Sequence, residues 1–307
     1  MKITLLGSLG HINTPLAKQL IAAGHIVTII SSNPERQSQI TAIGAKAAIG
    51  SVEDIPFLTK AFTGADVLYA MIPPNFNPKE WKNWIHGIGR NYATAIKASG
   101  VKKVVFLSSI GAHMPDGCGP VSGIYRAEQE LNTLDGVDIK YLRPGYFYTN
   151  LLASIDMIRY AGIYGNNFGA DATVVLTHPR DIAAVAAEEL STGNFTGKTV
   201  RYIASDEKNS KEIAAALGAA IGNPNLPYVA FSDEDFFNGA VKAGLSEEAA
   251  RNYTEMGDAI RSGEMFADYQ QHKVPLGPTK LSDFAKEFAA AYSTGKVGSP
   301  APAPAHS

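Results

Sequence analysis

The chain opens Met1-Lys2-Ile3-Thr4-Leu5-Leu6-Gly7-Ser8-Leu9-Gly10-His11-Ile12-Asn13, and the reading of this stretch decides the fold. Residues 2–6 are an apolar run of strand length. Residues 12–23 carry helical spacing, with Pro15 in the first turn and Gly24 as the stop. Gly7 and Gly10 stand where the strand passes into the helix. Glycines at such a junction let the backbone approach a phosphate, whose charge the helix N-terminus attracts. The spacing is Gly7-x-x-Gly10-x-x-Asn13. Asn13 therefore replaces the third glycine of the dinucleotide-binding fingerprint, and the first helix is expected to start with altered geometry. A tight strand-to-helix turn would use the same glycines, so the rest of the chain has to decide.

Further strand runs fall at 26–31, 46–49, 66–71, 103–108 and 137–142. Between them lie helical segments from Asn33-Pro34-Glu35 to Gly44, then at 53–62, 79–99 and 123–134. The runs TIISS and KVVFLSS do not alternate, as burial on both faces requires. The expected fold class is α/β, a Rossmann-type doubly wound parallel sheet with a smaller, mostly helical C-terminal lobe. Its crevice lies at the C-terminal ends of the strands. Beyond Pro144 the rhythm changes: helix at 145–161, strand at 172–177, helix at 181–190, a strand at 198–204 returning to the main sheet, then mostly helix with a short strand near 228–231. The expected division is a dinucleotide-binding domain over 1–150 with 172–205 returning to it, a substrate lobe over 206–292 with 151–171, and a disordered tail over 293–307.

With 45% hydrophobic and 18% charged residues and a net charge of −2, the chain reads as globular and soluble, without a basic nucleic-acid surface. One cysteine, Cys118, excludes an internal disulfide. It fits a cytoplasmic protein, and no apolar run is long enough to span a membrane. The first six residues read as a strand and not as a signal sequence. No metal site is expected, and the chain is a monomer or a homodimer.

The second strand ends Ser31-Ser32-Asn33-Pro34-Glu35-Arg36. An NAD site places an acid near here for the ribose diol. Ser31 and Ser32 stand there instead. Hydroxyls with Arg36 suit a 2′-phosphate, so NADP(H) is expected in preference to NAD(H); the plain alternative makes Arg36 a solvated helix residue. Ser51 fits a loop beside the adenine, or simply a helix cap. Met71, Ile72 and Pro73 close the fourth strand, and Ser108 and Ser109 the fifth, all at the expected crevice. Trp81 and Trp84, three apart on one helix face, read as packing before pocket wall. In the loop 111–120, a candidate lid, His113 and Cys118 read as ordinary loop residues.

Taken in order, GSLGHIN, FLSSIGA, YRAEQEL, YLRPGYFYTN and HPRDIAAVAAEEL resemble the NmrA-like family of atypical short-chain dehydrogenases/reductases, over roughly residues 1–290. The resemblance implies an NAD(P)-binding domain, with Gly7, Ser8, Leu9, Gly10, His11 and Ile12 around the cofactor. It implies Pro144, Gly145, Tyr146 and Phe147 beside the nicotinamide. Such families contain NAD(P)H-dependent reductases of quinones, dyes and similar acceptors, and also non-catalytic sensors of the NADP(H) state. Ordinary short-chain dehydrogenases use a Ser and a Tyr-x-x-x-Lys pair. Here Tyr125 is followed four residues on by Gln129; in the other register Arg126 takes the Lys place and Ser122 the Tyr place. Neither restores the pair. Ser122, Tyr125 and Arg126 stand as candidate catalytic residues, with Arg126 also a candidate ribose ligand. Two functions fit. One is an NAD(P)H-dependent oxidoreductase passing hydride from NADPH to a quinone-like or other small electron-poor acceptor. The other is an NADP(H)-binding redox sensor without turnover. Phe231, Phe236, Phe237, Tyr253 and Met256 give the lobe enough aromatic surface for a pocket, although core packing is their commoner role.

Overall fold

A computed structural model describes residues 1–294. Lys2–Leu6 (β1), Asn13–Ala22 (α1), Ile26–Ser31 (β2), Arg36–Ala42 (α2), Lys46–Ile49 (β3), Ile55–Phe62 (α3), Val67–Met71 (β4), Trp81–Ser99 (α4), Lys103–Leu107 (β5), Pro120–Asn132 (α5) and Asp138–Pro144 (β6) alternate without interruption. Then come Tyr146–Phe147 (β7), a 3-10 helix at Tyr148–Ser154, Ile155–Ala161 (α6), Tyr164–Asn166 (β8), Thr173–Thr177 (β9), Pro179–Thr192 (α7) and Lys198–Ile203 (β10). Asp206–Asn209 (β11), Ser210–Ala220 (α8), Tyr228–Ala230 (β12), Asp233–Lys242 (α9), Glu247–Ser262 (α10), a 3-10 turn at Glu264–Phe266, Ala267–Gln271 (α11) and Leu281–Thr294 (α12) complete it.

Seven strands form one parallel sheet in the order β10-β6-β5-β4-β1-β2-β3. The chain leaves β1 toward β2 on one side and returns to β4 on the other, so the crevice opens where β1 and β4 end. One face of the sheet is covered by Leu16 and Leu20 of α1 and Ile182 and Ala186 of α7, packed on Ile29 and Tyr69. The other is covered by Leu58 and Phe62 of α3 and Tyr92 and Ile96 of α4, packed on Leu6 and Phe106. Such two-sided burial explains the unbroken apolar strands. Helices α4 and α5 meet almost backbone to backbone: a Cβ on Gly89 would lie 2.6 Å from that of Ala127. The lobe has its own core, in which Tyr148, Ile155, Leu217, Ile260 and Phe284 join Leu176 of β9.

Five details differ from the sequence expectations. Of segment 172–205, β10 lies in the main sheet beside β6, but β9 pairs with β7 and β11 in a separate three-stranded sheet. Residues 145–161 are not one helix, because Tyr146 and Phe147 first pair with β9 and the chain then tightens into 3-10 turns. Helix α5 begins at Pro120, whose fixed φ suits the first helical position, and not at Gly123. Asn33 does not cap a helix directly: its side chain accepts from the Glu35 N–H in a local turn, and α2 starts at Arg36. Of the expected tail, Ser293 and Thr294 instead end α12, and 295–307 lie outside the described residues.

Candidate active site

The loop after β1 is held by its own residues. Gly7 adopts φ +105° and Ser8 φ +56°, both in the left-handed region. A Cβ on Gly7 would also lie 2.6 Å from Met71 Sδ. The Ser8 N–H donates to Ile30 O (2.9 Å) and its hydroxyl to Ser31 Oγ (3.0 Å), tying the loop to β2. Buried Asn13 donates from Nδ2 to Leu6 O (2.7 Å) and Ser8 O (3.0 Å). The residue in the third-glycine position thus fastens the turn that a glycine would only permit.

Gly10 is different. A Cβ there would meet nothing within 4 Å, so packing within the protein does not require glycine. Ile12 precedes α1 without any side-chain cap, and the N–H groups of Leu9, Gly10, His11 and Ile12 donate to no described residue. Uncapped donors at a helix start beside open space fit a pyrophosphate.

At the adenine end, the Gly50 N–H reaches Ser31 O (3.0 Å), which brings the Ser51 loop beside β2; Ser51 Oγ accepts from the Glu53 N–H (3.1 Å). Ser31 is buried, Ser32 exposed, and Asn33 half-buried with its N–H on Ser31 Oγ. Arg36 is exposed, and its guanidinium donates to Gln39 (2.7 Å). No acid stands between Ile30 and Pro34.

At the other end, Phe147, like Leu9, Ile12 and Met71, packs against the core cluster under α1 and α7. Gly145 donates to Ile203 O (3.0 Å) and Thr177 Oγ1 (2.8 Å), and a Cβ there would lie 2.4 Å from Val175 O. Its glycine is therefore required by β9. Ser109 is half-buried, and its hydroxyl hydrogen-bonds to no described residue.

Ser108 is committed elsewhere. It donates to Glu128 Oε1 (2.5 Å), one member of a buried charge cluster that sequence reasoning missed. Arg143, 8% exposed, donates to both oxygens of Glu128, 2% exposed (3.1 and 2.6 Å), and to Ala112 O (3.0 Å), Tyr202 Oη (3.2 Å) and Asp268 Oδ2 (3.3 Å). Burial opposes the Arg143 charge, but hydrogen bonds and attraction from Glu128 outweigh it and raise its pKa. The signal was present in YLRPG: an arginine inside an otherwise buried strand must find partners.

The three candidate catalytic residues of α5 make no hydrogen bonds to one another. Ser122 is fully buried, and its hydroxyl accepts from the Cys118 N–H (3.1 Å). Arg126 is held by Asp116 (2.6 Å) and Asn83 (3.1 Å). Tyr125 is half-buried and hydrogen-bonds to no described residue. Cys118 is buried, and burial pushes its pKa up to about 12.

The lobe closes on this edge through α10. Asn252 backs Gly119, at which a Cβ would overlap Asn252 O, and Tyr253 meets Phe76 (6.4 Å) and Trp81 (5.5 Å). Trp81 is buried, as packing predicted; Trp84 is half-buried and donates to Glu53 (2.9 Å). Met71, Ile72, Ile124 and Tyr253 each touch more than one core cluster yet stay partly exposed. Ile72 and Pro73 begin the segment that carries Phe76. No described helix is long and apolar enough to cross a membrane, and no described group of three or more His, Cys, Asp or Glu residues could hold a metal.

A glycine loop at a helix start, set at the switch point of a parallel sheet, defines a dinucleotide-binding protein. The chain belongs to the NAD(P)H-binding family, whose sequence model matches residues 7–192, and it binds NAD(P)(H). The NmrA-like resemblance falls within this group. It is 26% identical over 293 residues to the NAD(P)H azoreductase of Xenophilus azovorans, covering 94% of this chain and 99% of that one. It is 27% identical over 222 residues to a (4-alkanoyl-5-oxo-2,5-dihydrofuran-3-yl)methyl phosphate reductase of Streptomyces griseus, covering 72% and 74%. Its fold matches the NADPH complex of an Escherichia coli NADPH-dependent quinone oxidoreductase with a TM-score of 0.78, at 22% identity, over 93% of this chain and 99% of that one.

Proposed function

We propose that the protein is an NADPH-dependent oxidoreductase that reduces a small electron-poor acceptor of the quinone or dye type. The observation that carries this is a juxtaposition. The uncapped helix start follows a loop whose Gly7 lies against Met71, and the segment after Met71 carries Phe76 against Tyr253 of the lobe. The relatives named as reductases support the same reading.

The N–H groups of residues 9–12 hold the pyrophosphate. Ser32, Asn33 and Arg36 favour a 2′-phosphate, because hydroxyl, amide and guanidinium donors stand where an NAD site has an acid, and Arg36 needs to leave only an exposed Gln39. Pro144–Phe147 and Ser109 border the nicotinamide. Once bound, the reduced cofactor supplies the hydride. What the chain adds is proximity and exclusion of water. Without a Tyr–Lys pair, protons reach the product from water or from a neutral hydroxyl.

The test follows NADPH absorbance with a panel of quinones, azo dyes and carbonyls. Turnover is expected with quinones or dyes; tight cofactor binding without turnover on any acceptor refutes the enzyme. Arg36→Glu is expected to weaken NADPH binding on the order of tenfold while sparing NADH. Equal effects on both cofactors refute the 2′-phosphate assignment. The missing Tyr–Lys pair also favours a second reading, a redox sensor, which requires unequal affinity for oxidised and reduced cofactor and a partner whose binding follows it.

A further inference from the structure

Two tyrosines from different parts of the chain, Tyr146 and Tyr253, pack against one core cluster. Tyr146 leaves the end of β6 on the sheet side and packs edge-on against Phe168 (5.6 Å). Tyr253 comes from α10 of the lobe and stands between two loops. One carries Phe76 and Trp81 after β4; the other, after β5, carries Gly119, which is backed by the neighbouring Asn252. The two rings pack against the same core cluster and stay half-exposed. The Tyr253 hydroxyl hydrogen-bonds to no described residue. A phenol set among Phe76, Trp81, Ile124 and Met256 is a half-buried donor without a protein partner at an apolar wall.

We propose that the Tyr253 hydroxyl donates the hydrogen bond that holds the oxygen of the acceptor, and so selects planar acceptors bearing a carbonyl oxygen. This rests on the oxidoreductase reading above. Burial keeps the phenol neutral, with its pKa pushed up to about 12, and the same cause raises that of Tyr146. Tyr253 is therefore a donor that keeps its proton. Two electrons pass as hydride to the acceptor, the acceptor oxygen takes the negative charge, and its proton comes from water. The overall balance is quinone plus NADPH plus H⁺ to hydroquinone plus NADP⁺. Retaining the proton distinguishes Tyr253 from a tyrosine whose pKa a lysine has lowered.

Trp81 and Trp84 are the only tryptophans, and Trp81 touches Tyr253, so the site carries its own reporter. The protein saturated with NADP⁺ is titrated with a 1,4-naphthoquinone while tryptophan emission is read. The expected result is saturable quenching, with Kd raised about tenfold in Tyr253→Phe, which keeps the ring against Phe76 and Trp81. In turnover, Tyr253→Phe is expected to lower kcat/KM more for the quinone than for a triarylmethane cation, which has no carbonyl oxygen. Unchanged Kd, or equal losses for both acceptors, overturns the proposal, and so does the absence of quenching in the wild type. Quenching lost in Tyr253→Phe without turnover in the wild type refutes the oxidoreductase reading and leaves this site standing.

Discussion

Arg143→Met should be among the most destabilising single changes in the sheet domain. The arginine donates five hydrogen bonds at 2.6–3.3 Å. Its removal strands Glu128, almost fully buried, with Ser108 as its remaining side-chain partner. Breaking one side of a buried ion pair costs about 3–5 kcal/mol, because the other charge stays without a partner or water. In a chain of this size that corresponds to a fall in Tm of roughly 10 °C. Glu128→Met should cost a similar amount by stranding the guanidinium, moderated by Asp268, which is partly exposed. Changing both residues to Met removes both charges and keeps the volume. The double variant should therefore lie within about 2 kcal/mol of wild type, well below the sum of the single costs. Urea unfolding of the four proteins measures the cycle. Additive costs, or single costs below about 1 kcal/mol, would refute the assignment of the pair as the charge lock of β6, α5 and α11.

The two loop glycines should separate. Gly7→Ala, with φ +105° and Met71 in the way, should destabilise the fold by about 1–3 kcal/mol, whereas Gly10→Ala should leave Tm unchanged and weaken NADPH binding at least roughly tenfold. Equal Tm losses would contradict this. Cys118 should resist a thiol reagent at pH 8 in the native protein and react once in urea, since it is buried with a raised pKa; fast native labelling would show that the loop 111–119 opens. Burial depresses His113 below its ordinary pKa near 6.5, more strongly than Asp268 raises it, and His178 carries the same sign. The unfolded chain therefore takes up these protons first. Stability should be full above about pH 6.5 and fall as the pH drops through the depressed native values. Removing one depressed histidine, by His113→Gln, should flatten that fall; an unchanged slope in equilibrium unfolding would contradict the assignment.

The six βα units could be read from the chain because most strands are apolar on both faces and each of the first four helices is followed by a glycine. Gly100 and Gly193 do adopt the left-handed cap. The position of the cofactor loop followed from the same periodicity. Pairing partners were less legible. Residues 173–177 look like any buried strand, and the sequence does not show that they align with Tyr146 and Phe147 and not with β10. The motif HPRDI was also legible as a pattern but not as a joint. His178 caps α7, and Asp181 accepts from Ser205 (2.6 Å) and Thr279 (2.7 Å), groups 24 and 98 residues away. Contacts over such separations leave no local trace.

The α5 residues are held chiefly by contacts within the protein. In a Tyr–Lys enzyme this helix must present a phenol and an ammonium to the nicotinamide. Here Gly123 lets Ile85 of α4 pack directly on α5, Ser122 is consumed by the Cys118 amide, and Glu128 is turned inward to Arg143. Arg126 reaches outward to Asp116, where an ammonium would have been needed beside a tyrosine. The helix therefore offers the crevice no Tyr–Lys pair, and of these residues Tyr125 alone keeps a hydroxyl without a described partner. A site of this kind can accelerate hydride transfer only by holding donor and acceptor together. On the proposed function, its selectivity comes from the residues around Tyr253, with Phe76 and Trp81 supplied by the sheet domain and Tyr253 by the lobe.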